Sequence, residues 1–248
     1  MTQAASVTAA LLVIGDEILS GRTKDQNIAY IADYVGKIGI DLREVRVVLD
    51  VMAEIVAAVN ALRARYDYLF TTGGIGPTHD DITAAAVAAA LDVDISEDPR
   101  AIKRLLERMK PEDLNEARRK MARIPRGARL IENKISAAPG FSIANVIVMA
   151  GVPAIMQAML DEVAPRLKTG ARMIAETVRA GGLFEGDYAA ALGDLAAANP
   201  ELSIGSYPVF RDGGFHNEIV IRGKDATKVA AAAAAIGAML AHLAKGRA

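Results

Sequence analysis

Residues 66–91, YDYLFTTGGIGPTHDDITAAAVAAAL, run from an apolar, aromatic-rich segment through Gly73-Gly74-Ile75-Gly76-Pro77-Thr78 into a helical pattern that opens on Asp80-Asp81 and Thr83. Strand, glycine loop and helix start is the layout of an anion site, because a helix N-terminus presents unpaired N–H groups and the positive end of its dipole. Glycine lets the backbone itself approach a ligand. Two carboxylates at such a spot repel a bare phosphate, and the lysine that ends a Walker loop is missing from this one. The combination points to a divalent metal between carboxylate and phosphate, or to a heterocycle whose N–H groups the carboxylates accept. The plainer alternative is that Asp80 and Asp81 cap the helix, which Asp does well.

A second acidic group lies toward the N-terminus. Ala9 to Ile14 is a continuous apolar run, fit for a strand buried on both faces, and it ends at Gly15-Asp16-Glu17. The polar stretch GRTKDQN follows, with the cations Arg22 and Lys24, and then Ile28, Ile31, Tyr34, Val35 and Ile38 fall at helical spacing before Gly39. If both strands are parallel in one sheet, Asp16, Glu17, Asp80 and Asp81 emerge at the same carboxyl edge, where open α/β sheets bind ligands.

Strand and helix patterns alternate along the rest of the chain. A strand over 42–50 precedes a helix at Met52 to Arg65. Charged helices follow near Pro99 to Met109 and Glu112 to Ala122, with short strands at Arg129 to Ile131 and Val146 to Met149. A helix from Pro153 to about Leu167 closes the unit. This alternation predicts an α/β fold of three layers, helices on both faces of a mostly parallel sheet with right-handed crossovers. Lys168-Thr169-Gly170 reads as a linker between a domain over 1–167 and a small α+β subdomain over 171–248. The latter is expected to hold a strand at Met173 to Val178, a helix at Gly186 to Ala198, a hairpin around Asp212-Gly213-Gly214, and a helix at Ala226 to Leu243.

The motifs resemble a known family. Gly15-Asp16-Glu17-Ile18-Leu19-Ser20-Gly21, then Asp25 and Asn27, then Thr72-Gly73-Gly74-Ile75-Gly76-Pro77-Thr78 with Asp80-Asp81-Ile82-Thr83 are similar to the molybdopterin-binding domain shared by MoaB/Mog proteins and gephyrin. The GDEILSG opening and the proline in the glycine loop look most like the amino-terminal domain of CinA and the related domain of eukaryotic FAD synthases. The likeness extends over about the first 165 residues, through Ala138-Pro139-Gly140-Phe141 and Gly151-Val152-Pro153.

The resemblance implies that Gly15, Asp16, Glu17, Asn27, Thr72, Gly73, Gly74, Gly76, Thr78 and Thr83 bind the ligand. It implies that Asp80 and Asp81 carry any catalysis, with Asp81 the metal ligand for Mg2+ or another divalent ion, and that molybdopterin is a candidate ligand. One position departs: the CinA branch usually has Glu where this chain has Ile155, and an apolar side chain neither binds metal nor accepts a proton.

Composition narrows the classes. The chain has 248 residues, 52% of them hydrophobic, enough for one large or two moderate cores. Without cysteine there are no disulfides and no thiolate nucleophiles or metal ligands. A formal charge of −1 argues against a nucleic-acid partner. Three histidines without metal-type spacing argue against a zinc hydrolase, and the glycine segment has no serine for a nucleophile elbow. The first basic residue, Arg22, comes after the apolar N-terminal stretch, which reads as a strand rather than a signal peptide. The alanine-rich C-terminal stretch reads as a packed helix rather than a membrane span, so a cytoplasmic location is expected.

Three functions are consistent with these residues. The chain binds a pterin phosphate or a related phosphorylated ligand; or it is a metal-dependent pyrophosphatase on ADP-ribose- or FAD-like nucleotides; or it is a non-catalytic oligomeric regulatory module. The resemblance implies a homo-oligomer, dimer or trimer.

Overall fold

The computed structural model describes residues 6–211 and 214–246. The chain divides into two compact units, Met1–Gly170 and Ala171–Ala248.

In the first unit, β1 (Val7–Ile14), β2 (Ile40–Val48), β3 (Tyr68–Thr72) and β8 (Val146–Met149) run parallel. β6 (Arg129–Ile131) and β7 (Gly140–Ile143) extend the sheet antiparallel, giving the order β2-β1-β3-β8-β7-β6. Strand side chains alternate between faces, and β1 feeds both cores. Ala10, Leu12 and Ile14 join one hydrophobic cluster with Ile55, Val59, Leu62, Ala86 and Val87. Ala9, Leu11 and Val13 join the other with Ile31, Val35, Met156, Met159 and Leu160. The first cluster holds α3 (Met52–Arg65), α4 (Thr83–Ala90) and α5 (Pro99–Leu106). The second holds α2 (Asn27–Lys37) and α7 (Pro153–Val163), so the sheet is sandwiched as its apolar strands require.

The structure differs from the sequence reading at short elements. A single turn of helix, α1 (Asp16–Leu19), follows β1, and β4 (Ile95–Glu97) pairs with β5 (Arg123–Pro125) in a separate antiparallel ladder. The helix expected from Glu112 to Ala122 is broken: a 3-10 turn at Pro111–Asp113 stops, and α6 (Glu116–Lys120) restarts under Asn115, whose side chain accepts the Arg118 N–H. Asn at that position favours a fresh cap over continued helix.

The second unit follows the expected order: β9 (Ile174–Arg179), α8 (Glu185–Ala198), β10 (Ser203–Arg211), β11 (Gly214–Gly223), α9 (Ala226–Lys245). Its sheet is antiparallel in the order β10-β11-β9. The proposed turn residues Asp212 and Gly213 lie outside the described residues. By length and a mean hydropathy of 1.5, α9 meets the requirement for crossing a membrane, more than the sequence reading allowed. Its Val229, Ala232, Ala233, Ile236 and Leu240 nonetheless sit in this unit's own core.

Candidate functional site at the carboxyl edge of the sheet

Three parallel strands deliver their C-terminal ends to one place. Thr72 is in register with Val13 on one side and Met149 on the other, so Gly15, Gly73 and the segment after Met149 leave the sheet together. Gly73 adopts φ 100° and Gly74 φ 66°, both in the region L-residues avoid. Close approach fixes them further: a Cβ on Gly73 would stand 2.1 Å from the Ile14 carbonyl oxygen, and one on Gly74 would stand 2.1 Å from Thr83 Oγ1. The loop is pinned by Thr83, fully buried, whose Oγ1 donates to the Gly73 carbonyl at 2.9 Å and whose N–H donates to the Gly74 carbonyl at 3.0 Å. Thr83 is thus a brace for the loop, while its hydroxyl proton is already in use.

Asn27 opens α2 on the other side. It is buried, and its Nδ2 donates to the Gly151 carbonyl at 2.8 Å, which ties it to the backbone beside Gly73. Its Oδ1 has no partner among the described residues, and neither has Oγ1 of the buried Thr72 or of Thr71. Buried polar atoms are almost always hydrogen-bonded, and each exception calls for an explanation.

The acidic residues divide into two groups. Asp16 and Asp50 exchange hydrogen bonds, the Asp16 N–H donating to Asp50 Oδ2 at 3.1 Å and the Asp50 N–H to Asp16 Oδ1 at 2.9 Å. Burial raises the Asp50 carboxyl above its ordinary range, and the charges of Asp16, Glu17 and Asp80 push it the same way. Asp50 was not singled out from sequence; an Asp just past a strand reads as a loop residue, and its tie to Asp16 exists only because β2 lies beside β1. Glu17 is exposed in the short α1.

Asp81 Oδ2 accepts the Thr78 N–H at 2.8 Å and also the Thr78 hydroxyl, closing the turn that carries His79 and Asp80. The capping alternative does not describe it, because α4 starts at Thr83 with no side-chain cap. Asp80 is exposed, and the Thr78 hydroxyl that it shares with Asp81, together with the nearby Lys120 charge, holds its carboxyl below the usual range. Lys120 is the second residue missed: its ammonium donates to the carbonyls of Thr78 and, at 3.2 Å, of His79. The cation absent from the glycine loop itself is therefore supplied from α6. Gly74, Gly76, Asp81, Lys120 and Phe141 border a recess of about 20 Å3, room for roughly one water. Arg22 and Lys24, the cations nearest in sequence, are exposed.

Among the described residues no group of three or more His, Cys, Asp or Glu is placed to hold a metal ion. Ile155 packs against the second hydrophobic cluster.

Residues 10–169 match the family described as "Probable molybdopterin binding domain", and residues 175–245 match "FAD synthase, middle domain". Among curated proteins, a "Probable FAD synthase" of Caenorhabditis briggsae is 31% identical, over 94% of this chain and 49% of its own length. A "CinA-like protein" of Desulfosudis oleivorans is 39% identical, over 79% of this chain and 51% of its own length. The chain thus spans about half the length of these relatives. The crystal structure of the protein CinA from Thermoplasma acidophilum aligns over 65% of this chain and 99% of that one, with a TM-score of 0.62 and 33% identity.

Proposed function

The chain belongs to the molybdopterin-binding domain family, and on that premise we propose that it binds a phosphorylated heterocycle, a pterin phosphate or related ligand, at the carboxyl edge of its first sheet. One observation carries the reading: buried hydrogen-bonding atoms of Asn27 and Thr72 stand without partners beside a glycine loop that has no room for a Cβ. A ligand that supplies both an N–H donor and a phosphate relieves the first and uses the second. The loop amides and Lys120 take the phosphate; Asn27 Oδ1, Thr72 Oγ1 and the carboxylates of Asp16, Glu17, Asp80 and Asp81 take the heterocycle's donors. A homo-oligomer and a cytoplasmic location belong to the same reading, and light scattering on the purified chain measures the first.

A second reading, a metal-dependent pyrophosphatase on ADP-ribose- or FAD-like nucleotides, draws support from the mutual repulsion of Asp16, Glu17, Asp50 and Asp80, which a divalent cation would relieve. Among the described residues the carboxylates as they stand form no cage for Mg2+, and Ile155 offers none of the chemistry of a Glu.

Asp81→Asn separates the readings, since it removes a charge while keeping an acceptor for the Thr78 N–H. For a pterin acceptor, affinity falls by about 1.5–3 kcal/mol, the range for a hydrogen bond to a charged group, with no turnover to lose. For a pyrophosphatase, ADP-ribose turnover with Mg2+ falls by orders of magnitude while metal-free binding persists. Wild-type behaviour in both assays reduces Asp81 to a clasp for the turn at Thr78 and removes it from the site.

A further inference from the structure

A cavity of about 640 Å3 opens between α5, the loop over 132–139 and α7. Sheet register places it on the same edge as the glycine loop. Thr72 pairs with Met149, Phe141 with Val148 and Ile131 with Gly140, so the chain leaves β6 in the same row in which it leaves β3. The two exits are three strand spacings apart, about 14 Å. Pro139 borders both the cavity and the recess at Gly74 and Gly76.

The wall is held firmly. Asn133, 8% exposed, accepts the N–H groups of Ile135 and Ser136 at 3.0 and 2.7 Å and donates to the Ala138 carbonyl at 2.6 Å. Ala137 is left at φ 61°, a costly conformation for a residue with a Cβ. Arg104 is paired with Glu107 and Glu132. Arg108, which donates to the Lys134 carbonyl at 2.6 Å, and the Lys134 ammonium have no carboxylate partner among the described residues. Asp161, from α7, which also accepts from the Tyr34 hydroxyl, adds an acceptor. Among the described residues no aromatic side chain lines the cavity, so it lacks the ring faces that a base pocket usually supplies. Glu107 and Glu132 are held by Arg104, and Glu162 by Arg166, but each carboxylate keeps lone pairs for a hydroxyl; beside the cations of Arg108 and Lys134, which meet phosphate, they suit a phosphorylated sugar.

We infer that this cavity takes the sugar end of an extended phosphorylated ligand whose other end rests on the glycine loop. The inference rests on the proposed function of that loop. It makes the ligand a two-ended phosphate compound, longer than a simple phosphate ester.

Calorimetric titration of the full chain with two probes tests it: AMP, with a single phosphate, and ADP-ribose, which carries a second ribose beyond its pyrophosphate. The wild type is expected to bind ADP-ribose more tightly. Lys134→Glu and Asp161→Asn, each on a different element, are expected to weaken ADP-ribose roughly tenfold or more and leave AMP unchanged. Gly74→Ala and Lys120→Ala, at the loop, are expected to weaken both probes. If the two cavity variants keep wild-type affinity for ADP-ribose while the loop variants lose both probes, the cavity inference is overturned and the loop reading stands. If the wild type binds neither probe, or the loop variants bind both normally, the loop reading fails and the cavity inference fails with it.

Discussion

At the scale of single residues, the site trades stability for charge. Asp50 is the clearest case, because burial and three neighbouring carboxylates raise its pKa relative to the unfolded chain. For an acid raised on folding, the favourable contribution is complete below the unfolded value, about 3.9, and is lost as pH rises through the folded value. Asp50 therefore costs stability at neutral pH. Asp50→Asn is expected to raise the melting temperature at pH 7, with the advantage fading as the pH falls through the raised folded value and gone below about 3.9. A variant less stable at pH 7 would mean that the hydrogen bond from the Asp16 N–H outweighs the repulsion. The sequence marked Asp16 and Asp81 by their places beside a strand end and a glycine loop. Asp50 and Lys120 escaped because their partners lie 34 and 42 residues away, a relation that only the folded sheet creates.

At the scale of elements, the longer parts were legible by their period, and β6 and β8 as short runs with the bounds the structure shows. β1, β3, α2, α3 and α7 each carry enough apolar residues for periodicity to identify them. β4 and β5 have three residues each and β7 has four, too few to show an alternation. The junction of β3 and α4 is where element and site meet, since Thr83 opens the helix and binds the Gly73 carbonyl. Thr83→Val keeps the shape and deletes that buried hydrogen bond. Urea unfolding should show a loss of about 1–3 kcal/mol, the cost of leaving a buried acceptor unsatisfied. Wild-type stability would show that the glycine turn holds its conformation without the brace.

At the scale of the molecule, every residue assigned to the site belongs to the first unit, and the loops that carry them share one sheet edge, as the parallel topology dictates. The second unit was legible as a β-α-β-β-α order, while its contribution to ligand chemistry was not, because neither its sequence nor its described residues assemble a comparable set of donors and acids. The central claim is that the unpartnered atoms at this edge are kept for a ligand. Titration of a pterin phosphate into the wild type and into Thr72→Val, with melting temperatures of the free proteins, tests it directly. Valine fills the same space without the orphaned hydroxyl, so the free variant should melt no lower than the wild type and should bind roughly tenfold more weakly. A variant that melts lower yet binds as the wild type does, or a wild type that binds no pterin phosphate, would contradict it.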